Sequence, residues 1–448
     1  MNYRLILRRA FLTAGLLAAV LLALGAAGCQ APAMPTPAPA GTATPVPSTP
    51  RPTVAPTSAS EAADDDLTLR WWAPEFLSPG APEPAGPLFA EQLDAFSATQ
   101  EGKVRVVVER KARYGKGGLL DLLRTALPVA PSALPDLVAL DVAELEEAVA
   151  AGVLQPLTPL LDETVTGGLY AFAGEAGQFG GQLYAVQFLS DIDHAAYLQS
   201  QVVEPLGQWS DLLARQTPYL FPLALPQSGV SGRPSEDLSR AVLGQYLSAG
   251  AAYGVDRRLI LEEQPLLNLL KFYEEGVKAG LLPPSALELA DGEAVWGIFS
   301  QGKVPLAYAS ARRFQAGSGT LSAGFAPAPG MTGPATPVAG GWALAVVTSD
   351  PQRQRATADL IAWLLEPERA GAWATAVGWL PVSPEALQTF AAGPYRDFLD
   401  TQLAAARALP AGSDYVAAAA HIQTALMSVV KGESDAATAT GAAVIAKP

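Results

Sequence analysis

From Leu67 onward the chain alternates short β-patterned runs with helical ones, and this alternation limits the possible fold more than any other feature. LTLRWW (67–72) is a β-type run closed by the turn pair Ala73-Pro74. Leu88, Phe89, Leu93 and Phe96 then recur at helical spacing. KVRVVVER (103–110) alternates Val with charge, and Gly115, Gly117 and Gly118 open the helical run GLLDLLRTAL. PDLVALD (135–141) is a third strand, followed by the helix VAELEEAVAAG. A β-α-β-α-β-α order predicts an α/β lobe with a largely parallel sheet. Ligands of such sheets sit beyond the carboxyl ends of the strands. That rule puts Trp71, Trp72, Glu75, Tyr114 and Asp141 on one rim.

Composition narrows the function. The chain has 448 residues, of which half are hydrophobic and 16% charged, so whole-chain disorder is excluded. Its formal charge of −14 argues against nucleic acid, whose phosphates need Lys and Arg. A single cysteine and two histidines exclude a disulfide scaffold and multi-cysteine zinc sites, and no cofactor is expected. About 380 residues follow the N-terminal segments, more than one core usually supports, so two lobes are expected.

The N-terminus is built for export. Arg4, Arg8 and Arg9 precede an apolar run from Phe11 to Gly28, and the small residues Ala26, Ala27 and Gly28 lead into Cys29. Basic, apolar and small-residue stretches in that order form a secretory signal. The sole cysteine at the cleavage point resembles a bacterial lipobox, with Ala26 where leucine is usual. The resemblance implies removal of residues 1–28 and lipidation of Cys29, anchoring the chain outside the cytoplasm. Between Gln30 and Ser60 stand nine prolines among Ala, Thr and Ser. Such a stretch favours extended, unpacked chain, so 29–66 is expected to be a tether reaching roughly 100 Å at about 3.1 Å per residue.

Several later segments follow one another in a recognisable order. PDLVALDVAELEEAVAAGVLQPLTPLLDE precedes GGQLYAVQF, PLGQWSDLLA, FSQGKVPLAYA, GFAPAPG, GGWALAV and RATADLIAWLLEPERAGAWATAVGWLPVSPEAL. This succession resembles the extracellular solute-binding proteins of ABC importers, in particular the sugar-binding family related to maltose-binding protein. It covers roughly 67–445. Two departures stand out: Gln187 occupies a position where proline is usual, and VPLAY follows Gly302-Lys303. The resemblance implies a two-lobed periplasmic-binding-protein-like α/β fold with mainly parallel sheets, joined by several crossing strands. Lobe one is expected at 67–186 and 340–385, lobe two at 187–339 and 386–448.

Catalytic signatures are missing. There is no GxxxxGK[ST], HExxH or GxSxG. The KARYGKGG passage is either a plain turn into a helix or an anion contact. Asp191 and Asp193 share a face if extended; they are loop residues, ligand contacts, or an acid–base pair. Sugar rings need aromatic faces and fixed polar partners. Trp71 and Trp72 point opposite ways, so one at most faces a ligand readily. The resemblance places Gly341 and Trp342 on a strand crossing between lobes, making Trp342 a candidate platform. Trp209, Trp363 and Trp373 read as packing, and Trp296 and Trp379 also lean to the core. Arg312 or Arg313, after VPLAYAS, offers a forked donor, and Gln227 is a further rim candidate.

The expectation is therefore a non-enzymatic, lipid-anchored, monomeric receptor. It captures a mono- or oligosaccharide between two lobes and delivers it to an ABC permease. Three alternatives remain open: the same fold binding a polyamine or other cationic solute, a surface glycosidase using Asp191, Asp193 or Glu75, and a sensor subunit for a membrane kinase.

Overall fold

The computed structural model describes residues 66–204, 206–224 and 238–446. The export signal, Cys29, nearly all of the tether and Gln227 lie outside them. Among the described residues no helix is long and apolar enough to cross a membrane.

The alternating start folds as the pattern requires. Strand β1 (Leu67–Ala73) leads through helix α1 (Ala85–Thr99) to β2 (Val104–Arg110), and helix α2 (Leu119–Ala126) leads to β3 (Leu137–Asp141). β1 pairs in parallel with both β2 and β3. β2 is an edge strand, with Arg105 and Arg110 exposed and Glu109 half-buried. The central strands are buried on both faces, which explains runs without polar alternation. Phe89, Leu93 and Phe96 pack α1 on this sheet, with Phe89 5.1 Å from the Trp71 ring.

Two further strands complete the first sheet. β4 (Ala185–Asp191) and, much later, β9 (Gly340–Val346) extend it to the order β2-β1-β3-β9-β4. Between them run β5 (Asp193–Leu198), β6 (Tyr219–Leu220), α3 (Arg240–Ser248), α4 (Glu263–Lys278), β7 (Leu306–Ser310), α5 (Ala311–Gly317) and β8 (Ala323–Ala326). The second sheet has the order β8-β5-β7-β6. The chain closes with α6 (Pro351–Leu365), α7 (Pro367–Val377), α8 (Pro394–Ala405), α9 (Ser413–Val430) and α10 (Ala436–Ile445).

The sheets are mixed rather than mainly parallel. β9 runs antiparallel to β3 and β4, and β5 runs antiparallel to β7 and β8. The reason is topological: β9 returns from the second sheet and enters the first at the end where β3 and β4 finish.

Two separate apolar cores define two lobes. One holds Trp71, Phe89, Leu140, Phe188, Leu344 and Trp373; the other holds Phe221, Tyr246, Leu270, Tyr273, Phe299 and Ile422. Burying one such large side chain is worth about 1.5–3 kcal/mol. α9 faces the second core through Ala418, Ala419, Ile422, Leu426 and Val429, at helical spacing. The expected boundary at 385 needs correction. Leu399 and Leu403 of α8, with Ala406 and Ala408, pack into the first core, because the apolar face of α8 turns toward it.

Candidate functional site

The register of the first sheet gathers one rim. Trp72 lies beside Glu109 and Ala73 beside Arg110, so the turns after β1 and β2 leave the sheet together. Trp342 pairs with Asp141 and Gly340 with Asp191, so the start of β9 meets the ends of β3 and β4. The first residues beyond these ends supply the site.

An aromatic group fills the rim. Phe76, in the turn after β1, packs edge-on to Trp342 at 5.3 Å and stacks on Trp379 at 5.8 Å. Tyr114 lies 5.9 Å from Trp342, and its hydroxyl donates to Asp141 Oδ2 at 2.6 Å. Asp141 Oδ1 accepts the Ala143 N–H at 3.0 Å. Two guanidiniums cover the group: Arg113 stands 4.9 Å from the Phe76 ring, and Arg312 4.0 Å from the Trp379 ring.

Trp379 is placed by a crossing segment. Ser190 and Leu380 exchange both backbone hydrogen bonds, at 2.7 and 2.9 Å, which lays this segment on the end of β4. Arg312 reaches over from the start of α5, and its Nε donates to Gly378 O at 3.2 Å.

Charged groups at the junction of the two sheets form the other half. Asp191 ends β4, Asp193 begins β5, and both are buried. Arg240, the first residue of α3, pairs Nε with Asp193 at 3.1 Å and donates Nη1 to the Asp191 carbonyl at 3.2 Å. Asp191 Oδ1 accepts the Arg312 N–H at 3.2 Å, and the Tyr308 hydroxyl hydrogen-bonds Asp193. Burial pushes the Asp191 carboxyl above its ordinary range, and the charge of Asp193 adds to this, while Arg240 and Arg312 oppose it.

The bulge in β9 fixes the junction. The register slips between Trp342 and Ala343, and Gly341 has φ +142°. A Cβ there would lie 2.0 Å from Leu189 O. Gln187, fully buried where proline was expected, donates Nε2 to Leu189 O (3.2 Å) and Gly340 O (2.9 Å), bridging β4 and β9.

The candidates read from sequence divide as follows. Tyr114, Asp141, Asp191, Arg312, Gly341 and Trp342 come together at the rim. Trp342 is only 1% exposed and carries Phe76 and Tyr114 on its ring, so it supports the site rather than offering a bare face. Trp71 belongs to the core, because α1 covers its face of the sheet. Trp72 is also buried, with Nε1 donating to Glu109 at 3.1 Å and the Lys111 ammonium over its ring. Glu75 is exposed, 3.7 Å from Arg110. Arg313 pairs outward with Glu293 at 3.4 Å.

Phe76, Arg113 and Arg240 went unrecognised; Trp379, expected to lean to the core, is buried in the first core and reaches the rim from there. Phe76 and Arg113 lie beside the named Glu75 and Tyr114, in the same two turns, and that adjacency was the available signal. Arg240 offers none in one dimension, because its partner is 47 residues away in the chain.

Other candidate chemistry falls away. In the KARYGKGG passage Asp121 of α2 accepts the Gly117 N–H at 2.7 Å, one residue ahead of the helix cap Gly118. A Cβ at Gly118 would meet the Tyr114 backbone at 2.6 Å, so the close turn requires glycine there. His194 is fully buried among Phe314, Tyr395 and Phe398. Burial pushes its imidazole down to about 4, so it is neutral at pH 7. It makes contacts of 3.0 Å with Ala195 O and the Tyr395 hydroxyl. The carbonyl requires Nδ1 to donate, which leaves Nε2 to accept from the tyrosine. Among the described residues no three metal-ligating side chains gather.

Comparison with known proteins fits this architecture. No curated protein sequence matches the chain. Solved structures match its fold at low identity. The cyclic alpha-maltosyl-1,6-maltose binding protein of Arthrobacter globiformis aligns with a TM-score of 0.68 and 18% identity, over 84% of this chain and 97% of its own. The maltose-bound MalE3 of T. maritima aligns with a TM-score of 0.62 and 18% identity, over 85% and 98%. The sugar-binding protein MalE of the phytopathogen Xanthomonas citri aligns with a TM-score of 0.63 and 19% identity, over 85% and 96%. The family model described as bacterial extracellular solute-binding protein matches residues 91–397, more than half the chain. With that match, two lobes and a rim of facing aromatic and charged groups, the chain belongs to the bacterial extracellular solute-binding protein family.

Proposed function

We propose that the chain captures a carbohydrate between its lobes and delivers it to an ABC permease without transforming it. The observation that carries this reading is the Phe76–Trp379 stack, flanked by Arg113 and Arg312 and set beside Asp141 and Asp191. The half-buried Phe76 ring offers apolar surface to the C–H patches of a sugar, and fixed carboxylates and guanidiniums suit its hydroxyls. The maltose- and sugar-binding proteins that share the fold support the same class.

A cationic solute fits less well, because Arg240 and Arg312 already compensate the buried Asp191–Asp193 pair. Glycoside hydrolysis also fits poorly: both carboxylates sit on adjoining hinge strands, not on opposite sides of a substrate. We further place the chain at the cell exterior, lipid-anchored through Cys29 and monomeric, with 29–66 as spacer.

The test is a thermal-shift panel of neutral mono- and oligosaccharides with spermidine as comparator. A ligand present at 100 times its Kd stabilises by about 2.7 kcal/mol, enough to raise Tm by several degrees. Stabilisation by a sugar, lost in Trp379→Ala, is expected. A panel in which only spermidine stabilises would overturn the carbohydrate assignment. For the anchor, Cys29→Ser should release the chain from the membrane fraction to the medium; unchanged membrane retention would contradict it.

A further inference from the structure

A hollow adjoins the site at the Gly378–Trp379 segment. It has a volume of about 430 Å³ and is walled by Trp379, Phe390, Tyr395, Arg396 and Thr389 of the first lobe and by Gln315 of the second. That volume falls within the roughly 300–1,000 Å³ of small-molecule sites. Gly378 and Trp379 serve both places: they line the hollow, and they carry Arg312 and Phe76 at the rim.

We propose that this hollow is an outer carbohydrate subsite, which receives the units of an oligosaccharide that extend past the part held at the rim. The inference rests on the carbohydrate reading of the rim.

Its lining fits that occupant. Three aromatic rings face a space that also offers the amide of Gln315 and the hydroxyl of Thr389, the pairing a sugar requires. Arg396 adds a guanidinium to the lining, with its Nη2 3.5 Å from Asp397 Oδ1. No carboxylate lines the hollow, so a cationic solute has no counter-charge there. Gln315 comes from α5 while the other walls come from the first lobe, so the subsite is complete only when the lobes stand as they do here.

Calorimetric titration with glucose, galactose and xylose oligomers of one to six units tests this, using the wild-type chain, Phe390→Ala, Arg396→Gln and Gln315→Ala. In the wild type, affinity should rise with length beyond the disaccharide. In the variants, Kd for the longer oligomers should weaken roughly three- to tenfold, about the worth of one lost aromatic or polar contact. Mono- and disaccharide Kd should stay unchanged, which also reports intact folding. Affinity independent of length, or equal weakening at every length, would overturn the subsite while leaving the carbohydrate reading standing. Absence of binding by every oligomer would overturn both.

Discussion

Glu144 lies just beyond β3, 7% exposed, and its Oε2 meets no donor. Burial, with the charges of Asp141 and Glu147, lifts its carboxyl to about 8. In the unfolded chain the same group releases its proton near 4.5. The folded state therefore binds the extra proton between these limits, and stability falls as pH rises from about 4.5 to about 8. Glu144→Gln should be near-neutral at pH 5 and stabilising at pH 9, by on the order of 2–4 kcal/mol. Urea titrations at the two pH values check this, and a pH-independent difference would contradict it. Residue roles were the least legible level of the sequence. The period of two places Trp71 and Trp72 on opposite faces, but both faces of β1 are covered, one by α1 and the other by the Glu109–Lys111 side chains. Trp379 reads as core and is buried in the first core, while the crossing Ser190–Leu380 pair sets its ring against Phe76 and Arg312.

The junction of β4, β5 and β9 is where the two sheets meet. Gly341→Ala adds a Cβ against Leu189 O at a positive φ, so it should cost about 2–4 kcal/mol. Thermal denaturation should show a drop in Tm of several degrees; an unchanged Tm would mean that the bulge is not fixed. Arg240→Met removes the ion-pair partner of Asp193 and should destabilise by about 3–5 kcal/mol, with partial recovery in the Arg240→Met, Asp193→Asn double variant. Chemical denaturation of the wild type, both single variants and the double variant measures this, and purely additive losses would contradict the coupling. Strands were legible to within about two residues, since the expected 103–110 and 135–141 became Val104–Arg110 and Leu137–Asp141. Strand direction was not. A strand buried on both faces has the same apolar pattern whichever way it runs, so the antiparallel entry of β9 left no trace in GGWALAV.

At the scale of the whole molecule, two cores are joined by several crossing segments, and the ordered segments of the sequence already implied two lobes. The boundary after 385 was misplaced because α8 is amphipathic and either core could have accepted its apolar face. Contacts between the lobes now join Arg312 to Gly378 and Trp379, and Arg257 to Gln178 O at 3.2 Å. A ligand that binds better across these lobes than to separated ones shifts the population toward closure. The most direct measurement is a crystal structure of the chain grown with the sugar that stabilises it most. Sugar rings should lie against Phe76 and Trp379, with hydroxyls within hydrogen-bond distance of Asp141, Asp191 or Arg312. Sugar bound on an outer face of one lobe, with the rim side chains unchanged and untouched, would contradict the account.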